Sequence, residues 1–249
     1  MEQITLADRT VTVYLPEGYG EKRYPVLYMH DGQNVFRDSE AVGGVSLGLE
    51  QYLAENGLEV IVAAIHISTE KGFRVNEYCP WEGGLLGRQL SGDAEPRAPR
   101  GTEYVDWIVQ ELKPLIDHTY RTLPEQTFMA GISLGAHISL YAAIRYPHIF
   151  KRIGAVSAGF YRNQEKLEDV LAAADLSGLE RVYMDCGTRE AGPEEEVSRA
   201  FLASNQAICD RLQEKGVPVE FYIMEGAEHS YSCFRQRVPE LLGALLKDA

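Results

Sequence analysis

From Pro25 onward the chain alternates short apolar runs with longer stretches of helical periodicity, and this alternation restricts the possible folds more than any other feature. The runs lie at residues 25–29, 59–65, 127–130, 153–156, 181–184 and 219–224. Apart from scattered polar residues such as Glu59, Arg181 and Glu220 they are apolar and too short for helices; 25–29 and 59–65 predict buried parallel strands, and the others read as further strands. Between them, Leu47, Leu49, Tyr52 and Leu53 mark a helix closing at Asn56-Gly57, and Val105, Ile108, Val109, Leu112 and Leu115 mark another that Pro114 should bend. Further helices are expected at 136–146, 165–174, 194–214 and 234–247, the last with Pro239 inside it. An early strand at 10–15 and a turn at 16–20 open the chain. The expectation is one α/β domain over residues 1–249, with a mainly parallel central sheet and helices on both faces. Between His66 and Gly101 periodicity is lost while Gly83, Gly84, Gly87, Gly92, Pro96 and Pro99 accumulate, which predicts a long loop insertion at about 66–101.

Composition narrows the function. A chain of 249 residues with 45% hydrophobic content can bury a full-sized core. The formal charge of −13, with no Lys/Arg cluster to offset it, repels phosphate backbones and anionic lipid, so nucleic acid is not an expected partner. Apolar stretches such as 60–65 fall far short of the roughly twenty residues that span a bilayer. Cys79, Cys186, Cys209 and Cys233 are widely spaced and form no CxxC pair, which predicts reduced structural thiols and no metal site. The N-terminus shows no basic start followed by an apolar run, so the expected location is cytoplasmic. Oligomeric state is not legible.

Gly131-Ile132-Ser133-Leu134-Gly135 fits G-x-S-x-G and stands between an apolar run and a helical stretch, the context that motif requires. A nucleophilic serine needs a sharp turn at the carboxyl end of a strand, with small neighbours that let strand and helix approach beneath it. It also needs a base. His229 follows the last predicted strand, where loops gather at the same sheet edge as the nucleophile turn. His30, His66, His118, His137 and His148 lie at turns, strand ends or helices and suit packing or solvated roles better. For a third member, chain order calls for a carboxylate between Ser133 and His229. Glu190, beyond the end of the penultimate strand, is favoured over Asp185, which alternation puts on the face of Tyr183 as a strand-end hydrogen-bonding group. Two backbone N–H donors for an oxyanion are expected from Leu134, after the nucleophile, and from Gln33 in the turn His30-Asp31-Gly32-Gln33-Asn34.

These stretches, with Asn76-Glu77-Tyr78-Cys79-Pro80-Trp81, Glu111 to Asp117, Tyr120-Arg121-Thr122 and Tyr183 to Thr188, resemble the esterase D family of α/β-hydrolases over nearly the whole chain. That family includes feruloyl, acetylxylan and siderophore esterases, S-formylglutathione hydrolases and mycolyltransferases. The resemblance implies the α/β-hydrolase fold, no cofactor, and an acid shortly after a Gly-Thr pair, here Gly187-Thr188, which supports Glu190 although Asp is usual there. Ala136-His137 replaces the Gly-Gly that commonly follows the nucleophile turn. A serine carboxylic-ester hydrolase acting on a small-molecule or carbohydrate ester is therefore expected. Acyl transfer to a sugar or alcohol, and a catalytically silent binding protein of the same fold, are the alternatives. Tyr78 and Trp81 are placed either as walls of a substrate pocket or as anchors of the long loop, and Tyr231 as a weaker wall candidate.

Overall fold

A computed structural model describes residues 1–91 and 98–247. Eight strands form one sheet in the order β1-β2-β4-β3-β5-β6-β7-β8. They are β1 (Glu2–Leu6), β2 (Arg9–Tyr14), β3 (Tyr24–Met29), β4 (Ile61–Ile65), β5 (Thr122–Ile132), β6 (Phe150–Val156), β7 (Arg181–Arg189) and β8 (Val219–Glu228). β2 runs antiparallel to both β1 and β4, and every other neighbouring pair is parallel. The fold is that of an α/β-hydrolase, with the parallel sheet and two-sided helical cover expected of the alternating sequence.

The continuous apolar runs are explained by two cores, one on each face of the sheet. In β3, Val26 and Tyr28 join one cluster and Leu27 and Met29 the other, and β4 divides Ile61, Ala63 and Ile65 from Val62 and Ala64 in the same way. One face is covered by α4 (Gly101–Trp107), α5 (Lys113–Thr119), α6 (Leu134–Arg145), α7 (Gln164–Ala173) and α8 (Glu195–Glu214). The other is covered by α1 (Leu49–Glu55), α9 (Tyr231–Arg235) and α10 (Val238–Leu246). Each buried Leu, Ile or Phe contributes about 1.5–3 kcal/mol relative to exposure, so two filled faces fix the register of every inner strand.

Two prolines reshape predicted helices. The helix expected to bend near Pro114 instead passes through a π-helical turn at Ile108–Leu112 and resumes as α5 with Pro114 in its first turn. Widening the ladder there accommodates a residue that has no N–H to donate and whose ring would crowd the preceding turn. The final helix is divided into α9 and α10, with Pro239 in the first turn of α10, the one place where its missing N–H leaves no gap. The stretch 66–101 holds two short helices, α2 (Phe73–Tyr78) and α3 (Leu85–Ser91), whose existence its composition did not announce; its residues 92–97, including Gly92 and Pro96, lie outside the described residues. Strand β1 was also unanticipated, because a two-stranded edge carries little apolar signal. Among the described residues, no helix is long and apolar enough to cross a membrane.

Candidate active site

The nucleophile turn is built from the end of β5 and the start of α6. Ser133 lies between them at φ 59°, ψ −119°, a left-handed conformation that a non-glycine residue adopts at a cost of about 1–3 kcal/mol. Three backbone hydrogen bonds hold it there. Its N–H donates to Val156 O at 2.9 Å on the neighbouring strand, and its carbonyl accepts from Gly159 N at 2.9 Å and from His137 N at 3.1 Å. Gly131 is required because a Cβ at that position would collide with the backbone carbonyl of Gly135. The start of α6 adds partial positive charge beside Ser133.

Loops at the carboxyl edge of the sheet meet over this turn. A cleft of about 490 Å³ is lined by Ser133, His229, Gln33, Tyr231, Arg74 and Phe234, among others. His229 follows β8, and its ring packs edge-on against Phe201 and Phe234 with centroids 5.6 and 5.1 Å away. Its Nδ1 lies 2.6 Å from Glu190 Oε2. The Glu190 side chain is wholly buried while that of His229 keeps 32% of its exposure, so the ring joins a dry carboxylate to an open cleft.

Glu190 is held on its other oxygen as well. Oε1 accepts from Ser157 Oγ at 2.5 Å and from the N–H of Gly187 at 2.6 Å. Burial would raise its pKa, but hydrogen bonding and charge interaction with His229, with the bonds from Ser157 and Gly187, outweigh burial and hold it below the usual carboxylate range. Asp185 has different partners. It accepts from Arg237 Nη1 at 2.7 Å, from the Tyr183 hydroxyl at 2.8 Å and from the Ser157 amide at 3.3 Å. Of the two carboxylates that the sequence left open, Glu190 is the one on the imidazole.

The turn carrying Gln33 is pinned from three directions. Asp31, at φ 54°, donates its N–H to the Tyr78 hydroxyl at 3.1 Å, and its carboxylate takes a two-pronged contact from Arg74 at 2.7 and 2.9 Å. Arg74 Nη2 also donates to Ile132 O at 3.3 Å, so one guanidinium ties the Gln33 turn to the residue before Ser133. The Gln33 side chain donates to Ile67 O and accepts from Ile67 N. Among the described residues, no backbone hydrogen bond outside the regular elements uses the N–H of Gln33 or Leu134.

Tyr78 and Trp81 do not line the cleft. Tyr78 is fully buried and supports Asp31 from below; Trp81 packs edge-on against Tyr141, with centroids 5.1 Å apart, and borders a separate hollow with Pro80, Pro99 and Lys166. Both therefore anchor the 66–101 stretch, and the pocket-wall reading of these two residues is corrected. Tyr231 does line the cleft, its hydroxyl accepting from Asn34 Nδ2 at 2.9 Å. Of the other histidines, His30 and His137 are buried, His66 is half-buried against Thr12, and His118 and His148 are exposed. His30 is bonded to the Tyr104 hydroxyl at 2.8 Å and burial lowers its pKa to about 3, while burial lowers that of His137 to about 4. Arg74, Ser157 and Arg237 were not anticipated. For Ser157 a signal existed in Ser157-Ala158-Gly159, a small-residue run at the end of the strand beside the nucleophile strand.

The sequence matches the profile of the family described as "Putative esterase" over residues 3–245. It is 27% identical over 234 residues to the protein YbbA of Bacillus subtilis, covering 91% of this chain and 88% of the other. It is 24% identical over 248 residues to an endo-1,4-beta-xylanase/feruloyl esterase of Xylanibacter ruminicola, covering 96% of this chain but only 29% of that longer protein. Its fold is similar to the crystal structure of an IroE-like serine hydrolase from Shewanella oneidensis, with a TM-score of 0.76, 20% identity, and coverage of 96% of this chain and 76% of the other.

Proposed function

Because the chain belongs to the esterase family, we propose that it cleaves a carboxylic ester through a covalent acyl-enzyme on Ser133, with His229 as general base and Glu190 as the acid that orients it. The observation that carries this reading is the His229 imidazole, bonded through Nδ1 to buried Glu190 and lining the same cleft as Ser133. With Nδ1 donating to a carboxylate, the neutral ring has its lone pair on Nε2, the form that can accept a hydroxyl proton.

Ser133 Oγ attacks the ester carbonyl as its proton passes to Nε2 of His229. Glu190 stays ionised and stabilises the imidazolium, and the backbone N–H groups of Gln33 and Leu134 donate to the oxyanion. The imidazolium then returns its proton to the departing alcohol. Water repeats the sequence to free the acid and restore Ser133. A removed oxyanion donor typically costs 10²–10³ in kcat, about 2.7–4 kcal/mol, so pinning the Gln33 turn has direct catalytic value.

The substrate we propose is a small-molecule or carbohydrate-linked ester. Support comes from a cleft that combines Gln33, Asn34, Ser68, Thr69 and Tyr231 with apolar Val42, Ile67 and Phe234, and from similarity to a protein whose name includes feruloyl esterase. The test is hydrolysis of p-nitrophenyl esters of increasing chain length beside methyl ferulate, with Ser133→Ala as the blank and a fluorophosphonate probe for labelling. Hydrolysis and labelling by the native protein, both lost in Ser133→Ala, are expected. Equal activity in the blank would refute Ser133 as nucleophile.

A further inference from the structure

The Glu190 oxygen that does not face His229 belongs to a closed set of buried groups that the reaction steps above leave unused. Arg237, only 3% exposed, donates from Nη1 to Ser157 Oγ at 2.6 Å and to Asp185 Oδ1 at 2.7 Å, with its guanidinium over the Phe234 ring at 5.3 Å. Its Nη2 lies 4.0 Å from Glu190 Oε1 and has no hydrogen-bond partner among the described residues. Ser157 is fully buried at φ 45°, another left-handed non-glycine residue, with its N–H on Asp185 O at 2.9 Å.

Donor and acceptor roles in this set are forced. A guanidinium only donates, so Ser157 Oγ must accept from Arg237, and its single proton is then directed to Glu190 Oε1 at 2.5 Å. Asp185 fixes Arg237, Arg237 fixes the hydroxyl, and the hydroxyl with the Gly187 amide fixes Oε1. Once Oε1 is held, Glu190 cannot turn about its terminal torsion, and Oε2 stays on Nδ1 of His229. A backbone conformation this unfavourable for serine, in a site without solvent, is retained where the hydroxyl is needed.

We propose that Ser157 and Arg237 are positioning residues for the catalytic acid, with Arg237 acting through Ser157 to hold the Glu190 carboxylate ionised and aimed at His229. This rests on the reading of Glu190 as that acid. It assigns Asp185 to the same apparatus, as the counter-charge that seats Arg237.

The experiment compares kcat, KM and melting temperature for Ser157→Ala, Arg237→Lys, Arg237→Met, Glu190→Gln and the double variant Glu190→Gln/Ser157→Ala on one p-nitrophenyl ester. A hydrogen bond to a charged group corresponds to roughly ten- to a hundredfold, so Ser157→Ala lowers kcat by at least about tenfold with KM within about twofold. In the Glu190→Gln background the same substitution lowers kcat by less than about twofold. Arg237→Lys recovers part of the kcat lost in Arg237→Met; if the Met variant does not fold, Ser157→Ala and the double variant still decide. Native kcat in Ser157→Ala, or an equal loss in both backgrounds, overturns the proposal while leaving Glu190 in its role. A Glu190→Gln variant as active as the native protein overturns both.

Discussion

Replacing Glu190 by glutamine sets two fixed donors against one amide. Oε1 accepts from the Gly187 N–H at 2.6 Å and from Ser157 Oγ at 2.5 Å, while Oε2 meets Nδ1 of His229 at 2.6 Å. Glutamine has only one acceptor oxygen. If that oxygen faces His229, the amide NH₂ meets the Gly187 N–H, a backbone donor that cannot reverse, and leaving that buried donor unsatisfied costs about 1–3 kcal/mol. The favoured orientation therefore puts the oxygen on Gly187 and the NH₂ on Nδ1. That stabilises the tautomer with its proton on Nε2, which cannot accept one from Ser133. Loss of the negative charge beside the imidazolium adds to this, and an amide in place of such a carboxylate lowers kcat by about 10⁴ where the triad geometry is kept, near 5.5 kcal/mol. A fall of about 10³–10⁴ in kcat on p-nitrophenyl acetate, with the fold intact by circular dichroism, is expected. Asp185→Asn removes no partner of the imidazole, so its kcat loss should stay under about tenfold, while breaking its buried pair with Arg237 destabilises by about 3 kcal/mol in urea. Glu190→Gln within tenfold of native kcat, or Asp185→Asn as the more damaging change, would refute the reasoning.

Arg74→Ala cuts the tie between Asp31 and Ile132 O, and the loosened Gln33 turn should lower kcat by about 10- to 100-fold, with the melting temperature lowered as well because Asp31 is left buried without its cation, as kinetics beside a thermal scan will show. Stability should decline on acidification from pH 6.5, because His30 and His137 resist protonation in the fold to about pH 3 and about pH 4 but take up protons freely once unfolded. Each contributes a slope of about 1.4 kcal/mol per pH unit and half-buried His66, also lowered by burial, adds to it, so urea midpoints measured from pH 7 to 4.5 should flatten in His30→Gln by about a third to a half; an unchanged slope would contradict the burial argument. Glu190, with its pKa depressed, adds stability that is present above about 4.5 and lost as pH falls through its folded value, so Glu190→Gln should soften only the more acidic part of the curve.

How much was legible follows from which interactions are local. The apolar runs of β3 and β4 announced parallel strands because burial on both faces removes the polar alternation, whereas β8 is an edge strand whose apolar run stays partly exposed. Ser133 was readable because the turn needs small neighbours at fixed spacing, and His229 because chain order and sheet topology bring the last loop to the same edge. The choice between Glu190 and Asp185 was not fixed by pattern. It depends on Arg237, which comes from beyond β8, between α9 and α10, to take Asp185, a long-range pairing with no sequence period. Tyr78 showed the opposite difficulty. An aromatic in a loop-like stretch suggested a pocket wall, yet α2 folds it under Asp31, where the hydroxyl matters more than the ring face. Arg74 lies on that same short helix, too brief to leave a periodic trace.

Strand β8 has a neighbour on one side only, and several of its residues, including Tyr222 and Ile223, are open to solvent. It delivers His229 from one margin of the sheet, whereas Ser133 hangs from an interior strand. Margins of the sheet fray before its middle does. On gradual warming, ester turnover should therefore vanish some degrees before the far-ultraviolet signal collapses, as the imidazole drifts off a serine still in position, and cooling from that interval should restore it.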